Sequence, residues 1–397
     1  MRLKKYSIIG FSACLLLVFS GCEKYLDLDP PYTQDAENFF DVPSDYERAL
    51  IGAYDLLQAS YLVQWIGEIA SDNSIAGGES VTDTEGLHEI DEMQHDAVNN
   101  ELRNVFRWNY AGVTRANYLL ENKDKIDFDG KNVIIAEARF LRAYYYFELV
   151  KFFGDVPLVV DKRLGATEVT EIERSPKAEV YAQIETDLKA AAENMEWSNP
   201  VKGHTDKGAA LSLLGKVYLY QNKFTEAAQT LDRVINEGPY DLIDNYEDLW
   251  TASNENNSET VFDIEYSGLD GGDYGCLICL EGNAAVGFQG IRQYEGPIYG
   301  DGNSYNLPTA DLYNFFDPAD PRRDITVLDI EAFKAAQTEP VKYAVGGGGH
   351  TGYYNNKYIK RKAELGLPDT DLTSPLNYKA IRYADVLLMA AEAHNRK

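Results

Sequence analysis

The residues that could do chemistry are few, and each fails a specific spacing test. In HEIDEMQH, His88 and His95 lie seven apart, nearly two helical turns. A zinc-protease helix needs His-Glu-x-x-His, so that both imidazoles meet one metal and a Glu serves as base; this stretch does not supply it. GGGGH, residues 346–350, has no strand–turn–helix frame and no lysine to cradle phosphate. DFDGKN begins at Asp127 like a calcium loop, but the twelfth position is Ala138, so the stretch reads as a turn between helices. Cys276 and Cys279 form one Cys-x-x-Cys without a second pair to complete a four-ligand zinc site; a local disulfide and two packed thiols both fit. There is no Gly-x-Ser-x-Gly. With 64 acidic residues, a pair of catalytic carboxylates cannot be singled out by eye.

Binding chemistry has more to offer. The chain carries 28 Tyr against 4 Trp. A long stretch rich in Gly and turn residues, 267–308, holds Tyr274, Phe288, Tyr294, Tyr299 and Tyr305 around Arg292. Long loops that keep aromatic side chains are usually functional. A net charge of −27 repels phosphate backbones, which excludes nucleic acid as a partner, and it repels anionic membrane surfaces as well.

The N-terminus supplies another route to the membrane. Residues 1–21 have a basic start, an apolar run from Ile8 to Phe19 and the small residues Ser20 and Gly21, the build of a secretory signal. The run is too short to span a bilayer, and no later segment is longer, which excludes a helical polytopic membrane protein. Phe19-Ser20-Gly21-Cys22 resembles a bacterial lipobox, with Phe19 in place of the usual aliphatic residue. Cys22 is therefore expected to be the lipidated first residue of the mature chain, because two acyl chains on one cysteine anchor stably. Arg2, Lys4 and Lys5 leave with the signal, so the mature chain is more acidic still. Residues 22–37 read as an acidic tether.

The elements that must position the loops are helices. DVPSDYERALIGAYDLLQASYLVQWIGEIASD has apolar residues at helical spacing, with Ser44 as its expected N-cap. ELRNVFRWNYAGVTRANYLLENKDKI gives a second helix. KNVIIAEARFLRAYYYFELVKFFGD gives a third, apolar almost all round and hence central. Ser175-Pro176 reads as N-cap and N1 of a fourth. In DKGAALSLLGKVYLYQNKFTEAAQTLDRVINEGPY, the residues Leu211, Leu214, Gly215, Tyr218, Phe224, Ala227, Leu231 and Pro239 match the tetratricopeptide helical hairpin. VLLMAAEAHNRK reads as another helix in similar register, and SETVFDIEYS as a short strand. The fold class is thus all-α: a tetratricopeptide-like scaffold with long loops and minor strands, forming one domain over residues 38–397. Trp65 and Trp108 fall in helical pattern and are expected in the core.

Taken in order, several stretches resemble the SusD/RagB-like outer-membrane lipoproteins. They are CEKYLDLDP, SDN at Ser71–Asn73, RWNYAGVTRANYLL, AEARFLRAYYYFELVKFFGDVPLV, the tetratricopeptide hairpin, LPTADLYNFFDPADPRRDITV and YKAIRYADVLLMAAEAHNRK. The resemblance implies four tetratricopeptide hairpins and no catalytic activity. It also implies a surface-facing lipoprotein that binds glycan and delivers it to a TonB-dependent outer-membrane transporter. It sets the ligand face on the loop with Asp72 and Asn73 and on the Gly-rich loop, where Tyr274, Phe288, Arg292, Tyr294 and Tyr299 are the expected contacts. No cofactor or metal is expected. A peptide-binding lipoprotein serving the same kind of transporter is the alternative, with a glycosidase behind it. Family members usually continue past the YADVLLMAAEA helix, so a chain ending at Lys397 is expected to be truncated in its last hairpin.

Overall fold

A computed structural model of the chain describes residues 39–160, 162–165, 167–269, 281–365 and 372–397. Cys22 and the tether, Tyr274, Cys276 and Cys279 lie outside the described residues.

The first predicted helix is two. Helix α1, Pro43–Tyr54, passes through a 3-10 segment, Asp55–Ser60, into α2, Tyr61–Ile69. Ser44 is not its N-cap. Pro43 takes N1, and the Asp45 carboxylate accepts the N–H groups of Asp41 and Val42 at 3.1 and 3.2 Å. Strand β1 (Ser74–Ala76) and helix α3 (Glu85–Asp91) lead to α4 (Asn100–Glu121), which Asn99 caps through Glu101 and Leu102.

Helix α5, Lys131–Phe153, is central as its all-round apolarity requires: from Ala136 to Val150 only Arg139 is not buried. It packs between α4 and α6 (Lys177–Asn194). The start of α6 lies one residue later than Ser175-Pro176 suggests. Pro176 is the cap position, and the Lys177 N–H goes to Asp155 Oδ1 at 2.7 Å. The three helices are tied by buried charge. Asp187 accepts two bonds from the Arg142 guanidinium, each 2.8 Å, and both side chains are wholly inaccessible. Arg142 also donates to Asn117 Oδ1 on α4.

The tetratricopeptide hairpin follows as α7 (Lys207–Tyr220) and α8 (Phe224–Glu237). Its Gly215 is a close-approach position: a Cβ there would sit 2.5 Å from the Leu231 side chain. Strand β2 (Thr260–Ile264) leads, past residues 270–280, to α9 (Ala284–Phe288), β3 (Asn306–Pro308), α10 (Ala310–Phe315) and α11 (Arg322–Thr326). Strand β4 (Val327–Asp329), α12 (Ile330–Ala336), β5 (Tyr353–Asn355), β6 (Tyr378–Arg382) and α13 (Tyr383–Arg396) complete the described chain. The strands make three antiparallel pairs, β1–β3, β2–β6 and β4–β5. They pin loop ends far apart in sequence onto the helices. Helix α13 packs on α8 and α7, burying Tyr383, Val386, Met389, Ala390 and Ala393. Among the described residues no helix is long and apolar enough to cross a membrane.

Candidate functional site

Pairing of β1 with β3 sets Asp72–Asn73 beside the Gly-rich loop. The turn after α2 is closed by Ser71, whose hydroxyl donates to Glu68 O and accepts from Asn73 N. Thr309 then donates through its N–H to Asn73 O at 2.9 Å and through its hydroxyl to Asp72 O at 3.2 Å. With their carbonyls fixed, the Asp72 and Asn73 side chains are exposed and have no partner among the described residues.

The loop aromatics take other positions than those expected. Phe288 is 2% exposed, stacked on Trp65 at 4.9 Å and inside a buried cluster with Tyr61, Ile66, Ile69 and Leu87. Tyr294 and Tyr299 are each 6% exposed. Tyr294 donates to Pro297 O at 2.6 Å, and burial pushes its hydroxyl up to about 12. Tyr299 donates to Asn356 Oδ1 at 3.1 Å and packs on Phe333. These three rings build the wall under the loop. As placed they offer no open face to a sugar, because Leu307, Leu328, Ile330, Tyr354 and Ile359 close over the tyrosine pair.

The ring that stays half-exposed is Tyr305. Phe288 and Trp65 support it at 5.6 and 6.0 Å. Around it stand polar groups from two loops. Asn303 Nδ2 donates to the Tyr305 hydroxyl at 3.2 Å. Burial, with the Asp83 carboxylate nearby, raises the Tyr305 hydroxyl above the ordinary phenol range. Asp83 Oδ2 accepts the Glu79 N–H at 3.0 Å and so folds the loop onto the ring. Arg292 Nη2 donates to Glu79 Oε2 at 2.8 Å; the Arg292 side chain is 15% exposed and that of Glu79 72%.

The GGGGH stretch forms the floor of this loop. Gly347 N donates to Glu79 O at 2.7 Å and Gly348 N to Gly78 O at 3.3 Å. A Cβ on Gly346 or Gly348 would lie 2.0 or 2.3 Å from a backbone oxygen of Gly78 or Gly77. The glycines are there so that two backbones can touch. His88, one of the two spaced histidines, shares a hydrogen bond with Gly77 O at 2.9 Å and belongs to the same brace. Tyr305 stood among the loop aromatics in the sequence, but nothing local separates it from its buried neighbours. Glu79, Asp83 and Asn303 carried no sequence signal at all.

The result is a half-buried aromatic ring edged by a fork-shaped donor, two carboxylates and an amide. Such a set meets the C–H face of a ring with carbon contacts and its hydroxyls with planar polar groups.

Two family models match the chain. One, described as "Starch-binding associating with outer membrane", covers residues 24–219; the other, the SusD family, covers residues 291–397. A solved structure described as a laminarin-binding SusD-like protein is 32% identical, with a TM-score of 0.82 over 88% of this chain and 80% of that one. The chain belongs to the SusD/RagB family. SusD-like protein P2 of Formosa agariphila is 28% identical over 99% of this chain and 78% of its own length. The starch-binding protein SusD of Bacteroides thetaiotaomicron is 26% identical over 42% of this chain and 32% of its own. A surface glycan-binding protein A from Bacteroides thetaiotaomicron, in complex with laminarihexaose, shares the fold at 21% identity, with a TM-score of 0.79 over 89% of this chain and 79% of that one. The all-α, tetratricopeptide-like scaffold expected from the sequence is the scaffold of this SusD-like fold.

Proposed function

We propose that the protein is a lipoprotein of the outer cell surface that binds glycan without cleaving it and passes it to a TonB-dependent outer-membrane transporter. The observation that carries this reading is the half-exposed Tyr305 ring, ringed by Arg292, Glu79, Asp83 and Asn303. The pyranose stacks on Tyr305, while Arg292 donates to ring hydroxyls and the two carboxylates accept from them. Asp72 and Asn73, whose side chains are uncommitted, lie at the far end of the β1–β3 pair from Tyr305, where a longer glycan would reach them. Phe288 backs the platform, Tyr294 and Tyr299 are buried in a separate cluster, and none of the three is read as touching ligand.

Membership of a family whose relatives include starch- and laminarin-binding proteins supports a glycan as the ligand. Residues 1–21 are read as the signal, Cys22 as the acylated residue, residues 22–37 as the tether and residues 38–397 as the binding domain. The reading is tested on native gels cast with a panel of polysaccharides, laminarin first, with reducing ends assayed alongside. Retarded migration with at least one glycan and no reducing ends released is expected. Hydrolysis of any glycan, or retention by peptides alone, overturns it.

A further inference from the structure

A second depression, of about 490 Å³, opens between α2, the C-terminal end of α5, Trp250 and strand β6. Its wall is cationic in a chain that is strongly acidic: Lys151, Lys357, Lys379 and Arg382 line it together with the carboxylate of Glu68. Three of these cations are committed. Lys379 is buried against Asp263 at 2.8 Å, Lys151 bonds Glu148 at 2.7 Å, and Arg382 pairs with Glu259. Lys357 has no carboxylate partner among the described residues; its Nζ lies 5.0 Å from the centre of the Trp250 ring.

Two buried polar groups in this wall are also unmatched. Gln64 is 6% exposed, and among the described residues neither the nitrogen nor the oxygen of its amide has a partner. Trp250 is 3% exposed, and its Nε1–H, a donor only, has none either. Native proteins rarely leave such groups unmatched, so each one calls for an explanation. The free donor at the surface is thus the Lys357 ammonium; the unmatched Trp250 indole N–H and Gln64 amide are closed to solvent and meet a ligand only when their side chains turn toward it. The acceptors beside them are Gln64 Oε1 and the Glu68 carboxylate, one oxygen of which already takes bonds from Asn306 and Asn355. A bare oxyanion would meet Glu68 with repulsion and leave most of the volume unfilled. A neutral sugar would leave the Lys357 charge unanswered.

We infer that this depression binds an acidic monosaccharide unit, a pyranose bearing a carboxylate, with Lys357 taking the anion, Glu68 taking hydroxyls, and the Gln64 amide and Trp250 indole N–H turning to meet the ring. The volume suits one ring. The site is separate from the Tyr305 face and stands or falls independently of the function proposed for that face.

The test is calorimetric titration of the whole protein with D-glucuronate, D-glucose and inorganic sulfate. Glucuronate should bind saturably, with glucose and sulfate each at least tenfold weaker. Lys357→Gln should weaken glucuronate at least tenfold, Lys357→Arg should restore it, and Lys189→Gln, at an exposed lysine on α6 outside both sites, should leave it unchanged. Glucose or sulfate binding as tightly as glucuronate overturns the inference. So does the absence of saturable glucuronate binding, or indifference to Lys357→Gln.

Discussion

Replacing Asp187 by alanine should cost this protein a large share of its stability. The carboxylate on α6 holds the Arg142 guanidinium of α5 with two bonds of 2.8 Å and takes a third, at 3.0 Å, from Arg139 Nη1. Arg142 and Asp187 are both wholly inaccessible, so no water can replace the lost partner. The Asn117 oxygen that Arg142 also meets, at 2.8 Å, is neutral and does not replace the carboxylate charge. Removing one member of a buried ion pair costs about 3–5 kcal/mol, a large fraction of the roughly 5–15 kcal/mol typical of folded domains. Urea unfolding followed by far-UV circular dichroism should show a lower midpoint with an unchanged slope, since the buried area is nearly the same. Asp187→Asn keeps the shape and one acceptor and should cost less. The double variant Arg142→Met/Asp187→Leu should recover much of the loss, because the buried guanidinium and its carboxylate leave together. A cost below about 1 kcal/mol for Asp187→Ala would refute the ascribed role, since that is the range of an exposed pair.

Three further outcomes follow from the same geometry. Gly215→Val should destabilise by roughly 1–3 kcal/mol through overpacking against Leu231, read as a fall in melting temperature. Gly348→Ala should push residues 77–80 off their floor and weaken glycan retention with little change in melting temperature, because the clash is local to the loop. Burial raises the Glu255 carboxyl to about 7, from 4.5 when unfolded. The folded state therefore binds the extra proton, and this group's contribution to stability falls as pH rises from about 4.5 to 7. Glu255→Gln should remove that slope, matching the parent below pH 4.5 and exceeding it above pH 7 in parallel urea titrations.

Local pattern carried the scaffold. The tetratricopeptide residues, the all-round apolarity of α5 and the alternation of Phe262 and Ile264 each depend on neighbours within a few positions, and each element formed where its pattern stands. Ends were less legible, because their partners come from elsewhere: Asp45 displaces Ser44 as the group that caps α1, and Asp155, over twenty residues upstream, meets the first N–H of α6. The ligand face was the least legible. Whether Tyr299 or Tyr305 faces solvent is decided by Phe333, Asn356 and the glycine strap, none of them near in sequence to either ring. Composition shows that the loop keeps aromatic side chains; it does not show which of them the far strands will cover.

The central claim is that the Tyr305–Arg292 face holds the sugar. It is tested most directly by comparing the parent with Tyr305→Ala/Arg292→Ala on a gel containing whichever glycan retards the parent. Losing a stacked ring and a charge-assisted donor, each worth about 1–2 kcal/mol, should weaken binding on the order of 100-fold and abolish retardation. Equal retardation of parent and double variant, both folded by circular dichroism, would contradict the account.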